Sequence, residues 1–314
     1  MKTIVKSQHL VILLGMAIMM LIPIGCADQD TLSADEQEIA DVITADEDGY
    51  FGVGLLAESD PGDISTPAFL AKVDSAIDPR GYGRRVKIWR TGLNIEKSED
   101  GQSAIATVSY RMKGKFIIRQ KWTADTVFIF KPIDHRFQRK IRFVKNTDSN
   151  AITYWKRDAL TPAFGISEGG TMHLTGNIVI RVYHYSSGLS DVFTVSDPLN
   201  YFLPFDALPN WAPQDTVTLE IAIANANTSD KPYGIAHRGR HLQPLSRLKG
   251  VFHDDGLNGD TVANDGTFTI RWTAINTGIT GPHVGLFDFF TTSTIFTSEM
   301  PYNSLVVAFP YIKN

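Results

Sequence analysis

Four aspartates, Asp254, Asp255, Asp260 and Asp265, fall within twelve residues and are interleaved with Gly256 and Gly259. Carboxylates are hard oxygen donors and glycine permits tight turning, so this run could gather a cation such as calcium (Ca2+). Its spacing is not that of an EF-hand, because the twelfth position carries no Glu and the alternate-residue carboxylates are missing. The same residues also suit a long hairpin loop, in which Asp and Asn bond their own backbone and Gly supplies positive φ.

Other pairs invite catalytic readings. His237 and His241 stand at i and i+4, a zinc spacing on a helix, but Gly239 lies between them and no Glu follows the first His. Asp134-His135 is an adjacent acid/base pair; it follows Lys131-Pro132, which reads as a surface turn. Asp125, Asp158 and Tyr110 are further acid/base candidates. The chain has no Gly-rich phosphate loop, nucleophile elbow or dinucleotide fingerprint. With Cys26 as the single cysteine, neither an intrachain disulfide nor a thiolate metal site is available.

The charge is unevenly spread. Residues 26–110 carry 7 Lys/Arg against 17 Asp/Glu, 111–157 carry 13 against 3, and 158–314 carry 8 against 14. Such a basic middle can mark an anion-binding surface, with Lys113, Lys115, Arg139, Lys140 and Arg142 as its candidate residues and a lipid headgroup or acidic polysaccharide as the ligand. The alternation of Phe137, Ile141 and Phe143 with Lys140 and Arg142 also fits the solvated face of a sheet. An exported acidic protein without a recognisable binding module is a poor fit to nucleic acid.

The elements that must position these residues are helices first, then strands. Ser33-Ala-Asp-Glu36 is a capping box, and Ile39, Val42 and Ile43 follow at helical spacing, which predicts a helix over 34–45. Thr66-Pro67 opens a second, with Phe69, Leu70, Val73 and Ile77 as its apolar stripe and Asp78-Pro79 as its end. From Val86 the apolar period becomes two. Strands are predicted over 86–95, 104–119, 126–130, 137–144 and 152–155, with turns at 99–101, 131–132 and 146–150. Helices followed by antiparallel strands predict an α+β layer, the helices covering one face of a curved sheet. Beyond Gly170 the chain reads as β only, with strands over 177–185, 192–196, 216–224, 234–238, 248–253, 267–273, 283–290 and 304–309. That spacing predicts a sandwich whose core includes Trp272, Val217, Leu219, Ile221 and Ile223.

Three resemblances accompany this reading. Lys2 and Lys6 precede an uncharged stretch from Leu10 to Gly25, shorter than a spanning helix, and Leu21-Ile-Pro-Ile-Gly-Cys26 resembles a bacterial lipoprotein lipobox. That resemblance implies a signal peptide over 1–25, a cysteine lipidated at Cys26, and a lipidated tether over 26–33. Ala27, in place of an acidic residue, favours sorting to an outer membrane or the cell surface. Two helices, a long meander, the cadence Lys131-Pro-Ile-Asp-His-Arg-Phe-Gln-Arg139 and Tyr154-Trp-Lys156, and the exit from Pro162 to Gly165 resemble the cystatin-like, SnoaL-like or nuclear-transport-factor-two-like domains, over 34–170. Asp254-Asp-Gly-Leu-Asn-Gly-Asp260 with Asp265-Gly266-Thr-Phe268 resembles an Ig-like module of anchored surface proteins called choice-of-anchor X, over 171–314. Together they imply a lipoprotein, α+β and then all-β, with a non-enzymatic binding or assembly role toward an envelope protein or polysaccharide. A SnoaL-like enzyme and a carrier or sensor of an anionic ligand are the alternatives.

Overall fold

Alternation sustained over long stretches builds the first part of the fold. The computed structural model describes residues 32–45, 77–122, 125–148, 153–238, 248–276 and 280–314. In it, β1 (Pro79–Lys97), β2 (Ser103–Trp122) and β3 (Asp125–Lys145) form an antiparallel meander. In β2, Ala104, Ala106, Val108, Tyr110, Met112, Phe116 and Ile118 are buried, as are Ile133, Phe137, Ile141 and Phe143 of β3. Successive strand residues point to opposite faces, so this parity turns one face of the meander into the core and leaves the other to solvent.

Beyond β3 the sheet continues through β4 (Trp155–Leu160) and β5 (Ala163–Ser167), then from β5 to β15 (Ser304–Lys313), β14 (Gly281–Thr291), β11 (Pro232–Arg238) and β12 (Leu248–Val251). The short β8 (Leu203–Pro204) joins β4, and β9 (Asn210–Trp211) runs parallel to the end of β15. A second sheet has the order β13 (Thr267–Thr273), β10 (Thr216–Asn225), β6 (Met172–Tyr183) and β7 (Ser190–Val195). Residues Glu38–Asn314 form one compact unit, and the large sheet draws strands from both sides of residue 170.

The α+β cystatin-like layer expected for the first part does not form; the described chain is mostly strand, in two sheets. The capping-box helix is present as α1 (Ala34–Ala45), with the Ser33 amide donating to Glu36 Oε2 at 2.7 Å. It buries only Ile39, Ala40 and Ile43, too little to cover a sheet. Of the second expected helix, residues 66–76 lie outside the described residues. Among the described residues, the same sheet, curled over, covers much of the inner face of β1–β3. Phe116 of β2 lies 5.3 Å from Phe290 of β14. In a flat sheet those strands, four steps apart, would be separated by roughly 19 Å. Tyr82 and Tyr302 complete this aromatic cluster.

The strands β14 and β15 are therefore walls shared by two cores. Phe290 faces the curled sheet, whereas Phe289, one residue earlier, meets Phe268 of β13 at 5.6 Å in the second sheet. Both strands are buried almost throughout and read as continuous apolar runs, as two-sided burial requires. The predicted core of the second sheet is present: Val217, Leu219, Ile221 and Ile223 are all buried. Trp272 is only partly buried and packs edge-on against Trp211. The expected turn at Lys131-Pro132 is absent, because β3 runs straight through it. The missing N–H of Pro132 is tolerated there because β5 reaches β3 only at His135–Gln138, so no ladder bond to β5 is lost. Among the described residues no helix is long and apolar enough to cross a membrane.

Candidate functional site

The absence of a turn at Pro132 puts Asp134 and His135 on opposite faces of β3. His135 is fully buried, stacked on Phe137 with ring centroids 4.1 Å apart. Burial, with the Arg84 charge adding to it, holds its pKa well below the ordinary histidine range, so the ring stays neutral. Asp134 points outward and takes two bonds from Arg111, at 2.7 and 2.6 Å. That bidentate bond, opposed in part by desolvation and reinforced by Lys113, lowers its pKa to about 2. The two side chains therefore do not act on one substrate atom.

Deeper in the curled sheet, the Arg84 guanidinium lies 2.5 Å from the carboxylate of Asp288, 3.0 Å from the Tyr302 hydroxyl and over the Phe290 ring. Burial opposes the Arg84 charge, but Asp288 and the two tyrosine hydroxyls outweigh it and raise its pKa. The pair is closed off from solvent, with side-chain exposures of 4% and 0%. His184 forms a second constellation, with Nδ1 2.9 Å from Asp215 and Nε2 3.1 Å from Asp191. Both ring nitrogens are occupied, so the ring ties the turn at Asp215 to the start of β7 and has no nitrogen available as a base.

The aspartate loop folds on its own backbone. Asp254 Oδ1 accepts from the amides of Asp265 (3.0 Å) and Gly266 (3.4 Å), Asp255 from Leu257, Asp260 from Gly256 and Val262, and Asp265 from Thr267. Gly256, Asn258, Gly259, Asn264 and Gly266 supply positive φ. The bonds from Leu257, Val262 and Thr267 to the aspartate two residues earlier are the Asx turns of the hairpin reading. Burial pushes the Asp254 carboxyl above its usual range. Among the described residues no group of three or more His, Cys, Asp or Glu is arranged to hold a metal ion. The loop borders a cleft of about 670 Å³ that also contains Asp230, Lys231 and Tyr233. His237 is buried in β11, and His241 lies outside the described residues. Cys26, the cysteine expected to carry lipid, lies outside them too, as does the side chain of Asp125.

Strand parity divides the five candidate anion-binding residues. Arg139 has the core parity and is buried, donating to the Ala308 carbonyl at 3.1 Å. Lys140 and Arg142 are on the outer face, where they bond Asn200 at 2.7 Å and Asp158 at 2.5 Å. Lys113 and Lys115 are also on the outer face, toward the β2–β3 hairpin, and there they have company that sequence reasoning missed. The registers align Gly81–Arg119–Phe128, Gly83–Ile117–Phe130, Arg85–Lys115–Pro132, Lys87–Lys113–Asp134 and Trp89–Arg111–Arg136 across three strands. These five rows carry seven cations and one carboxylate, Asp134. They cover roughly 27 Å by 10 Å. Trp89, Phe128 and Phe130 are 42%, 52% and 57% exposed, and the Lys115 ammonium sits 5.5 Å from the centre of the Phe130 ring. At the far end a groove of about 550 Å³ is lined by Ser109, Arg111, Arg136, Gln138 and Phe164. Period-two alternation carried through Pro132 was the signal that would have found this face.

Comparison with protein-family models, curated proteins and solved structures finds no match to this chain.

Proposed function

We propose that this chain is a lipid-tethered cell-envelope protein of non-enzymatic binding role, anchored at Cys26, whose working surface is the basic outer face of β1–β3 and whose ligand is anionic. The observation that carries the reading is the collection of seven cations on five adjacent rows of one sheet face, in a chain whose net charge is −4. Asp134 and Glu168 offset Arg111, Lys113 and Arg136; Arg85, Lys87 and Lys115 stand together beside them, and the local positive field of such a group speeds the encounter with an anion. Of the acid/base groups in the curled sheet and around His184, Arg84, Asp288 and His135 are enclosed, and both nitrogens of His184 are engaged.

An acidic protein should pass through a cation exchanger at pH 7.5 unless a local patch holds it. Retention that salt reverses, and that is lost in Arg85→Gln/Lys87→Gln/Lys115→Gln, is the expected outcome; passage of the wild-type chain would remove the reading. The anchor is tested separately by palmitate incorporation, which Cys26→Ser should abolish.

A further inference from the structure

We infer that the anionic partner of the β1–β3 outer face is a lipid surface, on which the face lies with Phe128 and Phe130 at the headgroup boundary. This rests on the binding role proposed above and specifies its ligand. Two observations distinguish a bilayer from a soluble polyanion. The first is the kind of exposed aromatic residue. Phe128 and Phe130 are more than half exposed at alternate positions of β3. A phenylalanine has no polar edge with which to bond a sugar hydroxyl, and its exposure to water gains nothing unless an apolar phase receives it. The second is their surroundings. Beside the rings in their own rows stand Arg119 and Ile117 of β2, and the next rows hold Arg85, Lys87 and Lys115. An apolar tip bordered by cations matches a membrane interface, where acyl chains receive the rings and anionic headgroups receive the ammonium and guanidinium groups. The Lys115 ammonium over the Phe130 ring ties the two parts together.

The test is co-sedimentation of the full chain carrying Cys26→Ser with phosphatidylglycerol/phosphatidylcholine vesicles and with phosphatidylcholine vesicles alone. The apolar segment over 10–25 meets both vesicles alike, so the informative quantity is the difference between them. Stronger binding to the anionic vesicles, weakening as salt rises, is expected. Arg85→Gln/Lys87→Gln/Lys115→Gln should lower that binding by about 100-fold, at roughly fivefold per cation. Phe128→Ser/Phe130→Ser should lower binding while leaving retention on the cation exchanger intact. All these substitutions are at exposed positions, and an unchanged melting temperature verifies the fold. Equal binding to the two vesicles, or unchanged binding by the triple variant, overturns the inference. Retention on the exchanger, or binding to polygalacturonate, without a preference for anionic vesicles leaves the anionic-ligand reading standing and overturns the lipid. Failure on vesicles, exchanger and polygalacturonate alike removes both.

Discussion

Arg84 of β1 and Asp288 of β14 meet at 2.5 Å although five strand steps separate them in the sheet order. Their contact closes the curl of the large sheet, and Tyr302 and the Phe290 ring flank it. Removing one partner of a buried pair leaves an uncompensated charge in the core, which costs about 3–5 kcal/mol. Asp288→Asn should therefore destabilise the protein by that amount in a denaturant titration. A double change, Arg84→Met/Asp288→Leu, should recover much of the loss, since apolar replacement removes both desolvation penalties.

Two histidines should pull the pH dependence of stability in opposite directions. The pKa of His184 is raised, by its bond to Asp191 first and by Asp215 second. Its contribution is fully present below the unfolded value of about 6.5 and is lost as pH rises through the higher folded value. His135 is held below 6.5, so the unfolded chain takes up its proton first and stability falls as pH drops through that range. Melting temperatures between pH 5 and 8 should show His184→Gln removing the loss on the alkaline side. His135→Leu should remove a loss on the acid side.

Gly165 of β5 pairs directly with Phe137 of β3, and a Cβ placed there would run into the Phe137 ring and the Arg136 carbonyl. Backbone cannot swing aside as a side-chain tip does. Gly165→Ala should cost at least about 1–3 kcal/mol by overpacking. Gly169 is the opposite case: no atom lies within 4 Å but φ is +69°, so Gly169→Ala should carry a conformational penalty without a steric one.

The Asp254–Asp265 loop should hold its shape without an ion, since backbone amides already occupy its carboxylates. Calcium and a chelator should both leave the melting temperature unchanged. Asp254→Ala should lower stability by about 1–2 kcal/mol through two lost amide bonds. A calcium-dependent rise in melting temperature would return the loop to the cation reading.

Much of the local structure was legible. The capping box marks α1 at its observed bounds, and period-two alternation locates most strands of the second sheet, with 267–273 matching β13 residue for residue. Pro132 misled because a proline is read as punctuation, whereas here it sits where β3 has no ladder bond to β5. That misreading hid the basic face, since cutting β3 at 131 breaks the register joining Phe128 and Phe130 to Lys115. Arg139 misled for a different reason: charge places an arginine at the surface, but parity with Phe137 and Ile141 turns it inward, where the Ala308 carbonyl receives it.

By itself, then, the sequence determined which residues alternate, where the helix begins, and how the aspartate loop turns, because each depends on neighbours a few positions away. Only the tertiary structure decided that the sheet curls to cover its own face, that Arg84 finds Asp288, and that seven cations and two exposed phenylalanines share one surface. Those outcomes depend on register and closure between strands up to about 200 residues apart, which local periodicity does not encode.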